Sequence, residues 1–121
     1  MRPNHYELQV WQEARLLVRE IYAATAELPD DERFGLISQM RRAAVSVPSN
    51  IAEGAARGSN AEFVRFLLIA RGSLLEIDTQ ICLCEDLAYL IDTVVLRERI
   101  ERLFAKLNAF ISTKRKRSDT A

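Results

Sequence analysis

Histidine is nearly missing from this 121-residue chain, which carries one, His5. A His-centred triad or proton relay needs an imidazole held beside its partners, so that chemistry is not expected. Di-metal sites in bundle cores need Glu-x-x-His on two helices, and Glu53, Glu62, Glu76 and Glu85 each lack a histidine three residues on. Neither a metal nor a cofactor is expected. Cysteine is scarce too: Cys82 and Cys84 are the only two, and on a helix their thiols point about 200° apart, unsuited to bridging or to chelating one ion. They read as small apolar fillers in a reducing cytoplasm. The four glycines form no phosphate loop or dinucleotide fingerprint. Neither sign of charge is in excess, since 17 basic residues balance 17 acidic ones; any attraction to nucleic acid must come from a local patch. Long apolar runs are absent. The longest stretch without a charge, Ala43 to Ala52, includes Pro48 and falls short of the roughly 20 residues that span a bilayer. The start, Met1 to Glu7, lacks the apolar core of a secretory signal. The expected location is the cytoplasm, with no membrane span.

What is present is helical periodicity. A composition 49% hydrophobic and 28% charged, with three prolines, is globular, and apolar residues recur at steps of three and four. Val10, Ala14, Leu17, Ile21, Ala24 and Leu28 mark a first helix; Ile37, Met40, Ala44, Val47, Ile51 and Ala55 a second. The second stripe keeps its phase through Pro48, which predicts one continuous helix kinked there. Asp30 and Asp31 are expected to cap it, and Gly58 to end it in the left-handed conformation. Ser59 and Glu62 then form a capping box for a third helix striped by Phe63, Leu67, Ala70, Leu74, Ile77, Ile81, Cys84 and Ala88. Asp92 and Thr93 open a fourth, with Leu96, Ile100, Leu103, Leu107 and Phe110. Helices over about 7–27, 33–57, 60–90 and 93–112 form one all-α domain, 1–113, followed by a basic flexible tail, 114–121. Short connections predict an antiparallel, up-down-up-down four-helix bundle. Trp11, Tyr22, Phe104 and Ile111 lie off the main stripes, where they widen the core or furnish subunit contacts.

The second helix carries another line, Gln39, Arg42, Ser46, Ser49, Glu53 and Arg57, with Asn50 beside it and small residues around it. The third has a matching line, Phe66, Ile69, Ser73, Glu76, Gln80, Leu83 and Leu87, polar in its middle. Together they predict a polar seam of Gln39, Arg42, Ser46, Asn50, Glu53, Ser73 and Glu76. In it Arg42 or Arg71 would meet Glu76 or Glu53, and Ser46, Asn50 and Ser73 would complete the hydrogen bonding. The competing reading makes this line the solvated face of the second helix.

The run Leu36 to Gly54, with its Gln-x-x-Arg-Ala and Ser-x-x-x-Asn-Ile-Ala-Glu-Gly segments, followed by Phe63 to Phe66 and Gly72-Ser73-Leu74-Leu75-Glu76, resembles the 23S ribosomal RNA intervening-sequence proteins, also called four helix bundle proteins. The resemblance covers about Tyr6 to Phe110. It implies a bacterial, cytoplasmic bundle that assembles as a homopentameric ring. It also implies kinship with the accessory variability determinant of diversity-generating retroelements, which binds nucleic acid and a reverse transcriptase. That relative is strongly basic, whereas this chain is neutral.

Two function classes follow. The favoured one is a non-enzymatic, oligomeric scaffold or interaction protein with a protein partner. The alternative is an accessory protein binding RNA or DNA through Arg57, Lys114, Arg115, Lys116 and Arg117. Residues 92–121 hold eight basic and four acidic side chains, while residues 58–91 carry a net −3, so the chain is polarised. Four tail charges support a log–log salt slope of roughly 3 to 4, which multivalency in an oligomer would amplify.

Overall fold

Four apolar stripes in one chain need partners for their buried faces, and they find them in one another. The computed structural model describes residues 3–90 and 92–120, with side chains through Arg117; Met1, Arg2, Ile91 and Ala121, which fall in the expected domain and tail, lie outside them. Among the described residues there is no strand. The helices are α1 (Gln9–Thr25), α2 (Leu36–Ala55), α3 (Asn60–Asp86) and α4 (Val94–Thr120), with short 3-10 turns at Asn4–Glu7 and Asp30–Glu32. Sequential helices pack on each other and α1 also packs on α4, a pattern consistent with a bundle around one core. Leu17, Ile21, Met40, Val47, Ile51, Leu67, Leu74, Ile77, Ile81, Leu103, Leu107 and Ile111 are fully buried in it. Each such side chain contributes about 1.5–3 kcal/mol of apolar transfer. Trp11 and Phe104 pack half-buried against this core, while Tyr22 is exposed with the Arg41 guanidinium 4.5 Å from its ring.

The helix ends differ from expectation more than the helix faces do. The Asp30–Asp31 pair does not cap α2; it forms the 3-10 turn, and the longer Glu32 side chain accepts the Leu36 amide through Oε1 at 3.2 Å. Its other oxygen accepts the Tyr89 hydroxyl at 3.1 Å, so one carboxylate joins the α1–α2 and α3–α4 connections. Pro48 sits inside an uninterrupted α2. Gly58 is not left-handed, since no described glycine has positive φ; the residue that takes that conformation is Ala88, at φ 59°. There α3 stops short of Leu90: the Tyr89 amide donates to the Cys84 carbonyl at 2.8 Å and the Ala88 amide to Glu85 at 3.0 Å, the paired bonds of a Schellman end. At the start of α3, Ser59 Oγ accepts the Glu62 amide at 3.2 Å, but the Glu62 carboxylate turns to Arg65 rather than closing the box.

The basic segment was expected to leave the fold after Thr113. Instead α4 continues through Thr120. Lysine and arginine are good helix formers, and positive charge favours a helix C-terminus. Lys114 is held as well, its ammonium 5.2 Å from the ring centroids of Phe63 and Phe110.

Candidate interaction surfaces

Small residues bring α2 and α3 together. Ala43, Ala44 and Gly54 are buried, and a β-carbon at Gly54 would stand 2.8 Å from Phe66 Cβ and 2.9 Å from Phe63 Cδ1. Further along the same contact Ser46 Oγ and Ser73 Oγ share a hydrogen bond of 2.8 Å. Asn50 Nδ2 donates to Ser46 Oγ at 2.9 Å and to the Ser46 carbonyl at 2.8 Å. These three residues are half-buried and form a small closed network. Near its other end Gln80 is buried, donating to Glu76 at 3.3 Å while its Oε1 has no partner.

The charged members of the predicted seam lie elsewhere. Gln39, Arg42, Glu53 and Glu76 are exposed, and the cross-helix ion pair does not form. Glu53 pairs with Arg57 of its own helix at 2.7 Å, Glu76 accepts from Gln80, and Arg71 donates to Asn108 of α4 at 2.8 Å. Long charged side chains at the rim keep their hydration, because pairing across a closed contact must first repay desolvation.

The second line on α3 therefore splits into two edges. Phe66, Ser73 and Gln80, spaced by seven, are the sheltered ones, Phe66 at the Gly54 crossing and Ser73 on Ser46. Ile69, Leu83 and Leu87, with Glu76 between them, turn outward at 42%, 44% and 53% exposure. Between α1 and α2, Leu16, Val18, Val45 and Pro48 line a groove together with Gln12, Arg15 and Arg19.

A charged contact that the sequence reading missed joins α1 to α4. Glu13 accepts Arg102 Nε at 3.1 Å and Lys106 Nζ at 3.2 Å, and Glu20 accepts Arg99 Nε at 2.6 Å. Its signal was present in the matched sevenfold spacings of Glu13/Glu20 and Arg99/Lys106. Arg97 similarly ties α4 to α3 through Glu85 and Asp78. The Arg97 guanidinium and the Thr93 hydroxyl hold the Glu85 carboxyl below its ordinary range. Burial, with Glu32 and Glu85 adding to it, pushes the Cys84 thiol up. Among the described residues no group of three or more His, Cys, Asp or Glu is placed to hold a metal ion, and no helix is long and apolar enough to cross a membrane.

Of the five predicted nucleic-acid contacts, the fold brings Arg57 and Lys114 to one cavity at the end where α2 stops and α3 begins. Arg115, Lys116 and Arg117 follow on the last turns of α4, exposed.

Over this geometry, residues 6–109 match the family model of the 23S rRNA-intervening sequence protein. The chain belongs to that family. No individual curated protein matches it significantly. The stretch matching the 23S rRNA-intervening sequence family contains the Ser46–Asn50–Ser73 network, the Gly54 crossing and the outward edge of α3. Lys114 to Arg117 lie beyond it.

Proposed function

We propose that this member of the 23S rRNA-intervening sequence family is a non-enzymatic, self-associating scaffold built on an up-down-up-down bundle. The alternation is supported by partner order: Glu13 pairs with Lys106 and the later Glu20 with the earlier Arg99. On this reading α2 bends at Pro48, where the Ala44 carbonyl loses its amide partner. The observation that carries self-association is the outward edge of α3. Ile69, Leu83 and the capping residue Leu87 are large, apolar and open along one line of α3, with Glu76 between the first two, and exposed apolar side chains gathered on one face support a protein contact there. A closed homopentamer in the cytoplasm is the assembly to which the family resemblance points. Light scattering and sedimentation equilibrium test it. The intact chain is expected to run as an oligomer at micromolar concentration, and Ile69→Lys with Leu83→Glu is expected to reduce it to a folded monomer. A wild-type monomer at that concentration would overturn the reading.

A second reading, RNA or DNA binding, is favoured by the gathering of Arg57 and Lys114 at one end, from which α4 carries Arg115, Lys116 and Arg117 onward as ordered helix. Salt-titrated binding of a short RNA to the full chain tests it. Replacing Lys114 to Arg117 by glutamine should remove most of the salt slope, and an unchanged slope, or no binding at low salt, refutes it.

A further inference from the structure

The cavity between the α2–α3 turn and α4 has a volume of about 280 Å³, and its lining contains two cations and no carboxylate. Lys114 is partly buried there with its ammonium over the Phe63 and Phe110 rings, 5.2 Å from each centroid. Ring faces attract a cation but do not satisfy three N–H donors as an oxyanion would. Burial and the neighbouring Arg117 push the Lys114 amine below its ordinary value, the behaviour of a cation short of negative charge. Arg57 is oriented already. One nitrogen holds Glu53 at 2.7 Å and its guanidinium lies 4.8 Å from the Phe66 ring centroid, leaving the other donors of the fork for a second acceptor. The same lining includes the amide side chain of Asn60, and Ser59 Oγ, which accepts the Glu62 amide, retains its own proton to donate.

We propose that this cavity is a phosphate-binding site, with Arg57 as the forked donor, Lys114 as the point charge and Ser59 and Asn60 as neutral donors. The inference deepens the nucleic-acid reading and rests on the same cations, but it assigns them a discrete ligand, a terminal phosphate group, in place of a diffuse polyanion.

Calorimetric titration of the full chain with inorganic pyrophosphate at low salt tests it, alongside anisotropy with one short RNA carrying either a 5′-phosphate or a 5′-hydroxyl. Pyrophosphate is expected to bind, with Lys114→Gln and Arg57→Gln each weakening it about tenfold or more. The distant Arg19→Gln should change it less than about twofold. Asn60→Asp should abolish binding without lowering thermal stability, because a carboxylate in the first turn of α3 favours the helix while repelling the ligand. A tenfold preference for the 5′-phosphate RNA, displaced by pyrophosphate, makes the end of a nucleic acid the source of the phosphate. Binding of pyrophosphate without either RNA, with the same variant pattern, makes the source a small phosphate ester. It keeps the site and removes the nucleic-acid reading. The site is overturned by no pyrophosphate binding or by equal losses in all the variants. Equal binding of the two RNAs without competition does so too, and leaves the nucleic-acid reading standing.

Discussion

Alanine in place of glycine should move the stability of this bundle in opposite directions at two helical positions. Gly54 and Gly72 both sit inside helices, α2 and α3, with ordinary negative φ. In a helix interior the change Gly→Ala is worth about 0.5–1 kcal/mol in favour of alanine, since glycine loses more backbone freedom on folding. At Gly72 nothing lies within 4 Å of the new β-carbon, so Gly72→Ala should realise that gain. At Gly54 the same methyl would meet Phe66 Cβ at 2.8 Å, Phe63 Cδ1 at 2.9 Å and the Phe63 carbonyl at 3.3 Å. Two of those atoms are anchored to the α3 backbone, so relief requires the helices to separate. Overpacking of that kind costs about 1–3 kcal/mol, which outweighs the propensity gain and leaves Gly54→Ala destabilising by roughly 1–2 kcal/mol. Urea unfolding followed by circular dichroism reads both values, and heat unfolding should show melting temperatures separated by roughly 5–10 °C between the variants. If Gly54→Ala is as stabilising as Gly72→Ala, α2 and α3 do not cross at Gly54, and the close contact that places Ser46 against Ser73 loses its cause.

Three further outcomes follow from other parts of the fold. Ala88→Gly should stabilise the protein by about 1 kcal/mol, read as a higher urea midpoint, because the left-handed conformation at φ 59° strains any residue with a β-carbon. Ser46→Ala should cost about 1 kcal/mol by leaving the half-buried Ser73 hydroxyl unpaired, Ser73→Ala should cost less because Ser46 Oγ still accepts from Asn50, and the double variant should cost clearly less than their sum; additive losses would show that the two do not interact. The Glu85 carboxyl, held low by Arg97 and Thr93, is depressed in the folded state. Its contribution is therefore present above the unfolded carboxylate range and is lost as pH falls through the lower folded value. Glu85→Gln should flatten that part of a stability-against-pH curve, read by urea unfolding at a series of acidic to neutral pH values.

The faces of the helices were legible because burial repeats with the helical period. Leu17, Met40, Leu74 and Leu103 each sit in a stripe readable by counting threes and fours, and each is fully buried. The ends were not legible, because they depend on residues brought together from distant parts of the chain. Nothing near Asp30 shows that Glu32 will cap α2 while holding Tyr89. Propensity alone disfavours Ala88 for a left-handed end. The bonds from Tyr89 and Ala88 back to Cys84 and Glu85, together with the Tyr89 link to Glu32, fix it there.

The interaction surfaces show the limit of a stripe as evidence. Residues at steps of three and four cover a strip wide enough to have two edges, and a neighbouring helix shelters only one. The line beginning at Phe66 reads as a single feature in sequence, yet Phe66, Ser73 and Gln80 are sheltered while Ile69, Leu83 and Leu87 face outward. The sheltered set is spaced by seven and places the Ser73 hydroxyl on Ser46, while the open set holds large apolar groups with Glu76 among them. On α2 the same division leaves Ser46 and Asn50 inside and Arg42 and Glu53 outside. What periodicity could not supply was the side on which α2 would lie, and Gly54 decides it. Only at that residue does α2 lack the β-carbon that would hold Phe63 and Phe66 away. The polar network and the exposed apolar edge are therefore two consequences of one close crossing, and moving that crossing should alter both together.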